Sequence, residues 1–173
     1  MTIDDPDLRF LNEALPQLQD YLLSGELYWP LSGSLPRLTP GALLLVLTRI
    51  RVTQPGMAPK LQQQFEVTRT KWHTAWEKKV AREISNRLRL WSNFLADFAN
   101  SQEQTADSYP AEVRGRAILQ LLLPELPDSS LATALVELDM ALEAQLHPSE
   151  FLWDARLQVV FPKDDFWFLY GKF

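Results

Sequence analysis

The sequence predicts a mainly α-helical protein, a single-domain helical bundle with one long helix, straight or bent, and a C-terminal aromatic β-hairpin. Apolar residues recur every three or four positions along most of the 173 residues, as on one face of a helix. Only 6 glycines are present, which disfavours a fold built from many tight hairpins. We expect one domain over residues 1–173, with residues 150–173 packed on it as the hairpin.

The first two predicted helices lie before residue 54. Asp4–Pro6 is an N-cap and first-turn signature, and leucines at helical spacing follow it. Pro16 falls inside this pattern and is expected to kink or split the helix, because it removes a backbone donor and clashes with the preceding turn. Thr39-Pro40 caps the second helix. Its body, from Leu43 to Ile50, is apolar on nearly every side, so we expect it to be central and buried.

Residues 60 to about 100 predict the long helix, since they contain neither proline nor glycine. Unbroken, it would be roughly 60 Å long and would exceed the width of a compact domain of this size, so we expect it to bend or project. Its apolar stripe also rotates. The first half is centred near Trp72 and Trp76 and the second near Ile84 and Leu88, so the two halves face different neighbours.

Two more helices and the hairpin are predicted after residue 100. Tyr109-Pro110 opens a helix that runs to about Leu123, and the caps at Asp128–Ser130 precede a helix rich in leucine. Alternating apolar residues in the tail predict two strands joined by a turn at 162–165. The alternating residues are Leu157, Val159 and Phe161, then Phe166, Phe168 and Tyr170.

Composition excludes several classes of protein. The chain has no cysteine, which excludes disulfides, thiolate nucleophiles, zinc fingers and iron–sulfur clusters. The acidic N-terminus lacks the basic and apolar regions of a secretory signal. The longest uninterrupted apolar run, Ala42 to Leu47, is far shorter than the ~20 residues that a membrane-spanning helix needs. We therefore expect a cytoplasmic protein that does not enter a membrane.

Basic residues are concentrated between Arg49 and Trp91, where ten of them accompany three acidic residues, although the whole chain has a net charge of −5. Four of them fall on one side of the long helix and form what we call the basic stripe: Lys71, Lys78, Arg82 and Arg89. Such a stripe is what binding to a phosphate backbone requires. The acidic balance and the missing recognition motif argue against nucleic acid, and a solvated helix face is the simpler interpretation.

A polar cluster is predicted beside the same helix. His73 and Glu77 lie one turn apart, with Glu66 and Arg69 aligned on the same face. A carboxylate that orients an imidazole is typical of acid–base machinery, and the same residue types bind metals. The chain has no paired Glu-x-x-His motif of di-metal bundles, and ordinary contacts between residues four apart are the simpler interpretation.

Aromatic residues are concentrated in the tail, whose last 23 residues hold 8 of the 19 in the chain. One face of the hairpin is expected to pack on the helices, and the other needs cover from the chain's own helices or from another subunit. Trp29, Trp72, Trp76 and tail aromatics could instead line an apolar pocket between helices.

The function that the sequence favours is a non-enzymatic interaction module, which self-associates as a homo-oligomer or binds a protein partner through the long helix and the tail. Binding of a small molecule is the first alternative, and nucleic-acid binding through the basic stripe is a weaker one. We predict no catalytic residue, metal site or cofactor. The residues expected to contact a ligand or partner are Trp29, Trp72, His73, Trp76, Glu77, Phe166, Trp167, Phe168 and Tyr170.

Overall fold

The computed structural model describes residues 5–101, 106–127 and 130–173. The mainly α-helical fold is confirmed, since these ranges contain six α-helices and one short pair of antiparallel strands. The chain divides into two compact units, Met1–Glu83 and Ile84–Phe173, and each is described by itself. A single domain over the whole chain stays a prediction. The predicted caps at Asp4, Asp128 and Ser129 lie outside the described residues.

Three helices of the first unit pack on one another: α1 (Pro6–Leu23), α2 (Pro40–Thr53) and α3 (Ala58–Lys71). Asp5 caps α1 by accepting a hydrogen bond from the N–H of Asp7 at 2.9 Å. α1 continues unbroken through Pro16, so this proline does not split the helix. Pro16 and Asn12, whose carbonyl loses its helical donor, are both exposed, so water can take the donor's place.

The second helix is buried, as the sequence predicts. The hydroxyl of Thr39 accepts a hydrogen bond from the N–H of Ala42 at 3.0 Å and so caps α2. The N–H of Gly41 donates to both carboxylate oxygens of Glu83, at 2.7 and 3.1 Å, and Glu83 is fully buried. A negative charge at this end of α2 is stabilised by the helix dipole. The buried apolar residues of α2 include Leu43, Leu45, Val46, Leu47 and Ile50.

The predicted long helix is two helices, because the backbone leaves the helical conformation at Trp72 (φ −115°, ψ 36°). α3 ends at Lys71, and α4 (His73–Asn100) begins directly after the break. With 28 residues, α4 is roughly 42 Å long. One long helix is therefore present, but it begins at residue 73 and not at residue 60.

In the second unit, a buried arginine joins two helices to the tail. The helices are α5 (Tyr109–Leu122) and α6 (Leu131–Glu143). Arg116 of α5 donates two hydrogen bonds to Asp139 of α6, at 2.8 and 2.7 Å, and its guanidinium lies 4.3 Å from the ring centre of Phe168. The hydroxyl of Tyr109 donates to the carbonyl of Phe168 at 2.6 Å. The tail thus packs on α5.

The tail contains a strand pair, but not at the predicted residues. β1 (His147–Pro148) pairs antiparallel with β2 (Gly171–Lys172). The predicted strands instead contain 3₁₀ helices, at Ala155–Val159 and Trp167–Tyr170. The reason is that consecutive aromatic residues at 166–168 need cover on several sides. A 3₁₀ helix, with three residues per turn, provides it better than a two-stranded ribbon.

No helix in the described ranges is both long enough and apolar enough to cross a membrane.

Candidate ligand-binding site

A cavity of about 560 Å³ opens in the first unit, between the end of α1 and the break that separates α3 from α4. We call it the basic pocket, because five of its lining residues carry basic groups: Lys71, His73, Lys78, Lys79 and Arg82. No carboxylate of the described residues lines it. Its other wall is apolar and consists mainly of Leu22, Leu23, Trp72 and Ala75.

Lys79 is the buried cation of the pocket, with only 3% of its surface exposed. Its ammonium donates to the carbonyl of Ser24 at 2.8 Å and to the carbonyl of Glu26, and it lies 4.6 Å from the ring centre of Tyr21. Burial lowers the pKa of Lys79 below its ordinary value; the charge of Arg82 lowers it further, and Glu26 raises it. Lys79 therefore holds the turn that follows α1.

Two further side chains hold the same turn. Arg82 donates to the carbonyl of Gly25 at 2.9 Å, and the hydroxyl of Tyr21 donates to the carbonyl of Leu27 at 2.7 Å. Burial raises the pKa of the Tyr21 phenol, so the hydroxyl keeps its proton and remains a donor. The bonds from Lys79 and Arg82 fix this turn to α4, and the bond from Tyr21 fixes it to α1.

Lys71 and Lys78 are exposed, and no acidic residue in the described ranges forms an ion pair with either of them. Lys71 lies 5.5 Å from the ring centre of Trp72, within the range of a cation–π contact. Together with Arg82 they are the three members of the basic stripe that line the pocket. The fourth, Arg89, lies outside it and bonds to the side chain of Asn86 at 2.8 Å.

Trp72 is half-buried at the break between the two helices. Its indole nitrogen is buried, and nothing in the described ranges accepts its hydrogen. A buried donor without an acceptor is uncommon and costs about 1–3 kcal/mol. The ring is therefore held at the pocket by packing and by Lys71, and not by a hydrogen bond.

The other two predicted pocket tryptophans lie elsewhere in the first unit and do not line the basic pocket. Trp76 is only 2% exposed and packs edge-on against Phe65, with 5.2 Å between ring centres. Trp29 donates its indole hydrogen to Gln17 at 2.8 Å and packs edge-on against Tyr21. Trp76 fills the hydrophobic core, whereas Trp29 is half-buried in the segment between α1 and α2.

The predicted polar cluster is not assembled. Glu66 is engaged on α3, where it accepts hydrogen bonds from Arg69 at 2.7 Å and Gln62 at 2.9 Å. His73 and Glu77 are both exposed, and the ring of His73 lies 3.5 Å from the hydroxyl of Thr74. In the part of the chain that the structure describes, no group of three acidic, histidine or cysteine residues could hold a metal ion.

The tail aromatics cover one another within the second unit. Phe166 and Phe168 are buried, whereas Trp167 and Tyr170 are half-buried. Phe166 packs edge-on against both Phe161 and Phe168, with ring centres 5.0 and 5.9 Å apart. Tyr170 donates its hydroxyl hydrogen to the carbonyl of Phe161 at 2.8 Å. These side chains complete the core of their own unit.

Lys79 and the two leucines at the end of α1 were not predicted from the sequence to belong to a site. Lys79 follows Trp72 and Trp76 by seven and three residues, so it lies on the apolar face of the helix. A lysine at such a position indicates a buried ammonium with backbone or acidic partners. Leu22 and Leu23 reach the pocket only through a long-range contact, for which the sequence holds no local signal.

Comparison with protein-family models, with curated proteins and with solved structures finds no match to this chain.

Proposed function

We propose that the protein binds a small anionic molecule in the basic pocket. The observation that carries the proposal is the convergence of Lys71, Lys78 and Arg82 on one concave surface whose lining, in the described ranges, includes no carboxylate. Like charges gathered in this way repel one another, and an anion bound between them relieves the repulsion.

A second cavity in the same unit differs from the basic pocket in its charge. It has a similar volume, about 570 Å³, and lies between α2 and the start of α3. Its lining includes one cation, Arg51, among mostly apolar or uncharged residues such as Leu44, Pro55 and Pro59. Size is therefore shared by both cavities, whereas clustered charge distinguishes the basic pocket.

Thermal unfolding in inorganic phosphate tests the proposal. Saturating phosphate, at about 100 times its dissociation constant, should stabilise the protein by ~2.7 kcal/mol relative to sodium chloride of equal ionic strength. For a chain of this size the melting temperature should then rise by about 5–10 °C. Substitution of both Lys71 and Lys78 by glutamine should remove this difference.

Arg89→Gln is the matched control, because it removes a basic-stripe charge outside the pocket. This variant should keep the full response to phosphate. An equal response of all three proteins would mean that phosphate acts on the whole surface, as it does on many proteins, and would contradict the proposal.

Self-association is the second candidate function, and one observation favours it. Val136 and Met140 lie one turn apart on α6 and are 58% and 67% exposed. A twofold axis beside α6 would bring the same residues of two copies together and remove both from water. Buried within their own unit, Phe166 and Phe168 are poor candidates for that contact.

Light scattering over a range of protein concentrations tests this second candidate. A dimer that Met140→Asp converts to monomer would support it, and Val159→Asp, at an exposed position on the tail, is the control. Because α6 also exposes Glu137 and Glu143, salt should strengthen the dimer. A wild-type monomer at all concentrations would rule the candidate out.

A further inference from the structure

We infer that the ligand of the basic pocket is an organic phosphate monoester whose flat, apolar group lies against Trp72. This inference rests on the proposed function and goes on to name the class of ligand. Four features of the pocket support it: its size, the division of its wall, the position of Trp72 and the number of its cations.

The size of the pocket indicates an organic ligand. Its volume, about 560 Å³, falls among the ~300–1,000 Å³ of cavities that enclose molecules of drug size. An inorganic phosphate or sulfate ion would fill only a small part of it. The remainder must hold either water or an organic group, and the chemistry of the wall favours the latter.

The wall is divided into a charged part and an apolar part. Lys71, Lys78 and Arg82 supply the charge. Leu22 and Leu23 face them from the end of α1, and Leu23 is 55% exposed. An exposed leucine within a concave site loses contact with water when a ligand with an apolar body enters. The division therefore matches a molecule that is anionic at one end and apolar at the other.

Trp72 makes a flat group the best match for the apolar end. Its ring lies at the break in the helix, where it lines the pocket with Lys71 near its face. Planar aromatic groups stack on an indole and on a neighbouring cation, and such stacking contributes about 1–3 kcal/mol for a nucleobase. Trp72 is also the one indole among the three predicted pocket tryptophans that lines this pocket.

The number of cations favours a phosphate monoester over a carboxylate. Lys79 is engaged by the carbonyls of Ser24 and Glu26, and Arg82 donates one hydrogen bond to the carbonyl of Gly25. Lys71, Lys78 and the remaining N–H groups of Arg82 are left for the ligand. A phosphate monoester carries close to two negative charges at neutral pH and has three acceptor oxygens. A single carboxylate supplies one charge and would leave more of the repulsion among the cations uncompensated.

Isothermal titration calorimetry at constant ionic strength tests the inference with five probes. Adenosine 5′-monophosphate and phenyl phosphate carry both features, glycerol 3-phosphate and inorganic phosphate lack the flat group, and adenosine lacks the charge. The first two should bind at least tenfold more tightly than inorganic phosphate. Glycerol 3-phosphate should resemble inorganic phosphate, and adenosine should bind weakly or not at all.

Substitutions in the pocket test which residues bind the flat group and which bind the phosphate. Trp72→Leu should reduce the affinity for the two aromatic phosphates at least tenfold and leave the affinity for inorganic phosphate unchanged. The double variant Lys71→Gln, Lys78→Gln should no longer bind any of the four phosphate compounds. Trp29→Leu removes a tryptophan outside the pocket and is the control. Circular dichroism checks that each variant is folded, and Trp72→Met, which also lacks a flat ring, serves in place of Trp72→Leu if the latter unfolds.

The outcomes separate this inference from the proposed function. If all phosphates bind equally and the double variant loses them, the pocket binds anions and the inference about the flat group is wrong. If adenosine binds as tightly as its monophosphate, the phosphate has no role and the inference is also wrong. If no probe binds, both the inference and the proposed function are contradicted.

Discussion

The basic pocket of the first unit and the aromatic tail of the second differ in what is left exposed. In the tail, Phe166 and Phe168 are buried, and the hydroxyls of Tyr109 and Tyr170 have carbonyl partners. In the pocket, by contrast, Lys71 and Lys78 are exposed without acidic partners in the described ranges. From the sequence, we predicted that both regions contact a partner or ligand. Unmatched charge, and not the density of aromatic residues, distinguishes the better candidate site.

The largest effect is expected from breaking the polar anchor of the tail. Arg116→Ala removes the partner of Asp139 and the cation over Phe168, and we expect unfolding to become easier by about 3 kcal/mol. Arg156→Ala is the control, because its pair with Asp154 is exposed and contributes little to stability. Urea denaturation measures the free energy of unfolding of both variants. Equal losses of this free energy would mean that the Arg116–Asp139 pair stabilises the protein no more than an exposed surface pair does.

A smaller effect is expected at the wall of the basic pocket. Lys79→Ala leaves the carbonyls of Ser24 and Glu26 without their ammonium donor, so we expect a loss of about 2 kcal/mol. Lys78→Ala changes the neighbouring, exposed lysine and should cost less than ~0.5 kcal/mol. Thermal unfolding without added anion compares the two variants. If Lys78 proved as costly as Lys79, the distinction between structural and ligand-facing lysines would fail.

The smallest effect is expected at the predicted polar cluster. His73→Ala should change the stability by less than ~0.5 kcal/mol, because the ring is exposed and its contact with Thr74 is long. Metal analysis of the purified protein should find no ion whose binding depends on His73. Loss of a bound metal or a large fall in melting temperature in this variant would show that the cluster is a site after all.

The helices could be predicted from the sequence because their signals are local. Apolar spacing, Asp5 and Thr39 as caps, and Pro40 in a first turn placed α1 and α2 close to their observed bounds. The break at Trp72 could not be placed, because no proline or glycine marks it. The rotation of the apolar stripe did indicate that the two halves face different neighbours. The tail strands were misplaced because alternation over five residues does not distinguish a strand from 3₁₀ helices packed around aromatic rings.

The candidate site was predicted in part. Trp72, His73 and three members of the basic stripe share one stretch of sequence, so helical spacing was enough to group them. Leu22 and Leu23 join them from about fifty residues away. Such a contact depends on how α1 packs on α3, and a single sequence does not contain that information.

The most direct test of the central claim is the position at which phosphate binds. Titration of ¹⁵N-labelled protein with inorganic phosphate, followed by backbone amide chemical shifts, should move the signals of residues 71–78 and 22–24 most. The double variant Lys71→Gln, Lys78→Gln should lose these shifts. Shifts centred on another part of the chain, such as α5 and α6, or the absence of any saturable shift would contradict anion binding in the basic pocket.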